Sequence, residues 1–177
     1  MNLSIELYDF ISRYYTFIIM RIRRFIPEDA IQASNLVKKG WLANSSYYSH
    51  ESIKEQIEAN SPENLIKKSK KVNYFVIAQK DKILGIGGYD KNKVHTFFVD
   101  PEYQRKSIGR KILQKVLSEA KKKHIKQLDA WSTFYAEKFY SSFGFKKIKV
   151  FTLQCKYSSI DFVLMRKELF SKNNLGG

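Results

Sequence analysis

Residues 21–26 mix basic and apolar side chains, with Arg21-Ile22-Arg23 in alternation, and read as a strand that Pro27 closes. Pro27-Glu28-Asp29 then opens a helix, with acids in its first turn and Ala30, Ala33, Leu36 and Val37 on one face. Ser49 caps a predicted helix over 50–59, and Ser61-Pro62-Glu63-Asn64 starts another that runs into the lysines at 67–71. Apolar runs at 73–79, 83–89 and 94–99, separated by polar turns, predict three strands in a meander. Ile108, Ile112, Leu113, Val116, Leu117 and Ala120 recur at helical spacing, which predicts a helix over 107–122. A strand over 125–131, a helix over 135–143, the breaker Gly144 and strands over 146–153 and 159–166 complete the pattern. The expected fold is a mixed α/β domain around one central sheet, with no internal repeat and no second domain.

The length of 177 residues and an apolar content of 44% suit one folded domain with a real core. A net charge of +15 admits nucleic acid, an anionic surface or an acidic cofactor as partner, but the lysines are dispersed along the chain. The runs at 67–71 and 121–123 read as solvated helix ends without a basic-aromatic motif, which argues against nucleic acid. The single Cys155 excludes an intramolecular disulfide, and no Cys/His pair has zinc spacing, so no metal is expected and a reducing cytoplasm is the expected compartment. Glu6, Asp9 and Arg13 interrupt the apolar patch at 14–20, so no membrane span is expected there; residues 1–19 read as an extension, with Met20 a candidate start.

The densest chemistry lies at 97–113. A strand ends at Val99, Pro101 breaks it, and a short basic loop runs straight into the helix. Free N–H groups at a helix N-terminus, with Arg105, Lys106 and Arg110 around them, suit an anion such as the phosphates of a nucleotide-like cofactor.

Val99-Asp100-Pro101-Glu102-Tyr103-Gln104-Arg105-Lys106-Ser107-Ile108-Gly109 resembles the pyrophosphate loop of the GNAT superfamily of acetyl-CoA-dependent N-acetyltransferases, Gln/Arg-x-x-Gly-x-Gly/Ala. Ser107 stands where the first glycine is usual. Ala136 to Phe145, with Phe139-Tyr140 and Gly144-Phe145, is similar to a second signature of that family, and Thr133 replaces its usual Asn. The two motifs stand in the family's order with a helix and a strand between them. The resemblance covers residues 20–168, taken as the domain, with 169–177 as a tail.

The resemblance implies a GNAT fold: a mixed, splayed sheet, an antiparallel meander plus a parallel pair, with helices on both faces. It implies acetyl-CoA between two splayed strands, held by the main chain of Phe97, Phe98 and Val99. The loop from Gln104 through Arg105, Lys106, Ser107, Ile108, Gly109 and Arg110 would cradle the pyrophosphate, with Thr133 and Tyr140 also against the cofactor. Tyr140 matches the family's general acid for the departing thiolate. Many members carry an acid four residues before the position of Val99; here it is His95, a candidate base, with Asp129 as the alternative. The Phe98 N–H is the expected oxyanion donor. Trp41, Tyr47, Tyr48, Trp131 and Tyr157 are candidate walls for the acceptor, a small-molecule or protein amine. A non-catalytic acyl-CoA-binding module is the competing reading, and both monomer and homodimer stay open.

Overall fold

The computed structural model describes residues 20–170. The expected extension at 1–19 and most of the expected tail lie outside the described residues. Seven strands form one sheet: β1 (Arg21–Arg24), β2 (Asn73–Gln79), β3 (Lys82–Asp90), β4 (Lys93–Val99), β5 (Gln127–Ser132), β6 (Lys146–Gln154) and β7 (Ser159–Glu168). Their order is β1-β2-β3-β4-β5-β7-β6, antiparallel throughout except for β4 beside β5. The mixed, splayed sheet expected from the family is therefore present.

Helices cover both faces. α1 (Ala30–Leu42), α2 (His50–Glu58) and α3 (Pro62–Ser69) lie on one; α4 (Ile108–Lys122) and the short α5 (Glu137–Ser141) lie on the other. The first face buries Leu36, Val37, Trp41, Ile53 and Leu65 against Val76, Ile86 and Phe162. The second buries Leu113, Val116, Ala120 and Tyr140 against Phe75, Leu128, Ala130 and Met165. At about 25 cal/mol per Å² of apolar surface removed from water, these two layers hold the sheet between them.

The helical periodicity places α4 correctly: Ile108, Ile112, Leu113, Val116 and Ala120 are all buried. Other boundaries moved for local reasons. The helix expected from Pro27 begins as a 3-10 turn, Pro27–Asp29, because the buried Asp29 carboxylate turns back to accept the Ile26 N–H at 2.9 Å. Arg23 donates to both Asp29 oxygens, at 2.6 and 2.7 Å, and ties the edge strand β1 to that turn. The helix expected over 135–143 is reduced to a 3-10 turn, Phe134–Ala136, followed by α5, and Gly144 at φ +79° ends it. Leu169 still belongs to the domain: it is buried, and its N–H donates to Lys126 O at 2.8 Å.

Candidate acyl-transfer site

β4 and β5 share one parallel register pair, Lys93↔Asp129, with the Asp129 N–H donating to Asn92 O at 2.7 Å. Beyond that point the strands part. The cause is in β4: its register against β3 steps from Gly88↔His95 to Ile86↔Phe98, which leaves one extra residue in the strand. Thr96 takes the kink, at φ +40°, a rare conformation for a β-branched residue. Its hydroxyl donates to Asn60 Oδ1 at 3.0 Å and lies 3.0 Å from Tyr74 Oη, which must then be the donor to it. Strain of about 1–3 kcal/mol at such a residue persists only where its surroundings fix it. Asn60 and Tyr74 do so here.

Past the bulge, the Asp100 N–H donates to Leu84 O at 3.0 Å. Alternation along the antiparallel ladder turns the Phe98 amide toward β3 as well, and those of Phe97 and Val99 toward the gap. The main-chain groups open to the gap thus come from Phe97 and Val99. Phe98 contributes its ring instead, packed on Trp41 with centroids 5.7 Å apart.

The gap widens into a cavity of about 370 Å³. Trp41, Asn60, Lys68, Lys93 and His95 line it on the side of α1–α3, and Tyr140, Ala136 and Thr133 on the other. Tyr140 stands in a box of rings, 6.0 Å from Phe97, 5.3 Å from Phe139 and 5.4 Å from Phe145 between centroids. Burial, reinforced by the neighbouring Tyr135, pushes its hydroxyl well above the ordinary tyrosine range, so it stays protonated.

His95 Nε2 lies 2.7 Å from Asp90 Oδ1. A carboxylate only accepts, so Nε2 carries the proton and Nδ1 of the neutral ring is left as an acceptor. Burial pulls the His95 pKa below the ordinary 6.5; the Asp90 contact opposes this, and the charges of Lys93 and Lys68 add to it. The ring is therefore neutral at pH 7. Asp129, the alternative base, is held by Arg166 at 2.6 and 2.8 Å and is not part of the cavity wall.

At the start of α4 the loop contains two left-handed residues, Arg105 at φ +63° and Ser107 at φ +60°. Ser107 O accepts from the Lys111 N–H at 3.0 Å, so the N–H groups of Ile108, Gly109 and Arg110 have no acceptor within the helix. Ile108 is buried, whereas Gln104, Arg105, Lys106, Ser107 and Arg110 are exposed. Successive amides in such a turn make an anion-binding concavity. The backbone at Ser107 also explains why glycine suits that position: the left-handed region costs a side chain about 1–2 kcal/mol. Ser107→Gly is accordingly expected to stabilise the fold by up to about 1 kcal/mol, less than the full strain because glycine is freer when unfolded. A thermal melt rising by about 1–4 °C checks it. At Gly109 an added Cβ would meet Phe139 and Val99 at an ordinary 3.5 Å, so the chain's own packing does not require glycine there.

Of the expected acceptor residues, Trp41 and Trp131 line the cavity. Tyr48 is not in its wall and stacks edge-on against Trp41 at 5.3 Å; Tyr47 leans on Tyr135 at 6.0 Å, above the cavity's Thr133 end. Tyr157 is exposed and takes no part. Asn60, Lys68, Lys93 and Thr96 were not legible as site residues: each is an ordinary polar residue in its own segment, brought in by the bulge and by the α2–α3 turn. Among the described residues, no group of three His, Cys, Asp or Glu side chains is placed to hold a metal, and no helix is long and apolar enough to cross a membrane.

Residues 36–169 match the acetyltransferase (GNAT) domain family. The chain belongs to that family. Solved GNAT-family structures share the fold. One is a GCN5-related N-acetyltransferase from Rhodopseudomonas palustris, with a TM-score of 0.78 and 15% identity, covering 85% of this chain and 98% of that one. Another is the PaiA N-acetyltransferase from Thermoplasma acidophilum in complex with coenzyme A, with a TM-score of 0.70 and 22% identity, covering 85% and 99%. An N-acetyltransferase from Staphylococcus aureus follows at 0.64 and 21%, covering 86% and 99%. Among curated proteins, none matches the sequence. In this GNAT domain the acetyltransferase fold thus comes with a strand gap, an amide-rich turn and a tyrosine-histidine pair across one cavity.

Proposed function

We propose that this GNAT protein transfers an acetyl group from acetyl-CoA to the amine of a small molecule or protein, by direct attack. The observation that carries this reading is the opening of β4 from β5 at the Thr96 bulge, which leaves strand amides unpaired beside Tyr140. Acetyl-CoA would supply an acetyl group activated as a thioester. The residues present fit it: Phe97 and Val99 offer an open strand edge to its amides, as an added strand would, and the turn from Gln104 to Arg110 offers N–H groups to its phosphates. Such contacts position the reacting carbon beside the amine and lower the entropic part of the barrier.

The Phe97 N–H, next to the bulge, is the donor assigned to charge developing on the carbonyl oxygen. Tyr140, kept protonated by burial, donates its hydroxyl proton to the sulfur that leaves. His95, neutral and held through Nε2 by Asp90, takes the proton from the amine, directly or through water. Calorimetry with acetyl-CoA, paired with release of free thiol on adding amines, tests the reading. The absence of both heat and thermal shift at millimolar acetyl-CoA would overturn it.

The pH profile separates His95 from an amine that loses its proton unaided. kcat/KM is expected to fall as the pH drops through the His95 pKa, which lies below 6.5. His95→Gln should lose that acidic limb and about tenfold or more in rate, since positioned proton transfer contributes about 10²–10⁴-fold. An unchanged limb in the variant would assign it to the amine.

A further inference from the structure

The wall of the cavity that faces α1–α3 is basic. Lys68, Lys93 and His95 converge on it, and no Asp or Glu lines it among the described residues. The charges are felt mutually: Lys68 lowers the proton affinity of both Lys93 and His95, and Lys93 that of His95. Burial pulls Lys93 down to about 8, with Asp90 acting against it. Nearby acids are engaged elsewhere, Asp129 by Arg166 and Glu55 by the Ser158 hydroxyl and the Tyr157 N–H.

Donors on this wall are left over. Lys68 Nζ donates to Ala59 O at 2.6 Å and to Asn60 Oδ1 at 3.3 Å, which uses two of the three hydrogens of an ammonium. Lys93 Nζ lies over the Trp131 ring, 2.7 Å from its centroid, and has no hydrogen-bond acceptor among the described residues. Two half-buried ammonium groups with N–H donors to spare around one space favour an acceptor-rich ligand. The phosphate-binding turn lies by α4, on the opposite face of the sheet, so these groups do not serve it.

Resting on the acetyltransferase reading above, we propose that the acceptor is an amine that also carries a carboxylate or comparable anion, bound by Lys68 and Lys93. The anion relieves the repulsion among the basic groups and satisfies the idle donors. Its binding also sets which face of the amine meets His95. A polyamine meets two ammonium groups there, and the acid beside them, Asp90, is already held by His95.

Free thiol release from acetyl-CoA is measured with the common L-amino acids, with the same compounds as amides, and with spermidine. The amides have the less basic amine, more of it unprotonated at neutral pH, so amine reactivity alone favours them. The expected result is the reverse, with kcat/KM for the best acid about tenfold or more above its amide, as a charge-assisted hydrogen bond supplies. Lys93→Met, which removes no hydrogen bond within the protein, should raise the KM of that acid about tenfold and leave acetyl-CoA affinity unchanged; Lys68→Met should act in the same direction. Equal or better turnover of amides or spermidine, or a preference surviving in both variants, overturns the proposal. So does acetyl-CoA binding without turnover of any carboxylate-bearing amine, which leaves the cofactor reading standing. Absent acetyl-CoA binding strikes the reading beneath as well.

Discussion

Tyr140→Phe is expected to lower kcat by about 10²-fold or more while acetyl-CoA binds with unchanged affinity. The ring keeps its place, because its contacts with Phe97, Phe139 and Phe145 are made by carbon atoms, so the fold should melt within a few degrees of the parent. Only the hydroxyl is lost. The departing sulfur then leaves as an unassisted thiolate, and the deficit falls on kcat rather than on KM. Because burial raises the Tyr140 pKa, the parent should show no alkaline loss of activity from this group across the usual assay range. Steady-state thiol release and calorimetry on parent and variant decide the matter. Full turnover in the variant would remove Tyr140 from the acid role, whereas acyl-CoA binding without any turnover in the parent would favour a module that binds without chemistry.

Thr96→Val should cost about 2–3 kcal/mol of stability and most of the activity. Valine keeps the shape and the β-branch, hence the strain at φ +40°, but deletes the hydroxyl that Asn60 and Tyr74 hold. Tyr74 is buried, and its Oη would be left without its acceptor; burial already holds its pKa up at about 12. An unmet buried hydroxyl costs about 1–3 kcal/mol, and the bulge loses its anchor in addition. For a chain of this length the melt should fall by about 4–12 °C. Thr96→Ser is the control: it keeps both hydrogen bonds and sheds the branch, so it should melt within about 1 kcal/mol of the parent. If valine and serine behave alike, the hydroxyl is not what fixes the bulge.

The edge strand near the C-terminus exposes part of its outer surface, with Ile148 and Val150 about half exposed on β6. That leaves both monomer and homodimer compatible with the fold.

α4 was legible from its period of 3.6, because burial of one face imposes that period on the chain, and β2 and β3 from short apolar runs between polar turns, because both of their faces are buried. The phosphate-type turn was legible too, since Pro101, the basic loop and Gly109 are consecutive in sequence. Even the departure at Ser107 pointed to a real feature, a left-handed residue at the head of α4. Three things needed the folded chain. No local signal gives a positive φ at Thr96, which arises from β4 carrying one residue more than β3 allows. The direction of each β4 amide depends on that bulge, so Phe97 and Val99, not Phe98, face the gap. Lys68, Lys93, His95 and Trp41 come from α3, β4 and α1, and only the packing of those elements joins them into one basic wall. The sequence alone determined the family and the place of the basic, amide-rich turn, which are written in contiguous residues. The tertiary structure decided the strand gap and the charge of the cavity wall, which are sums over residues distant along the chain.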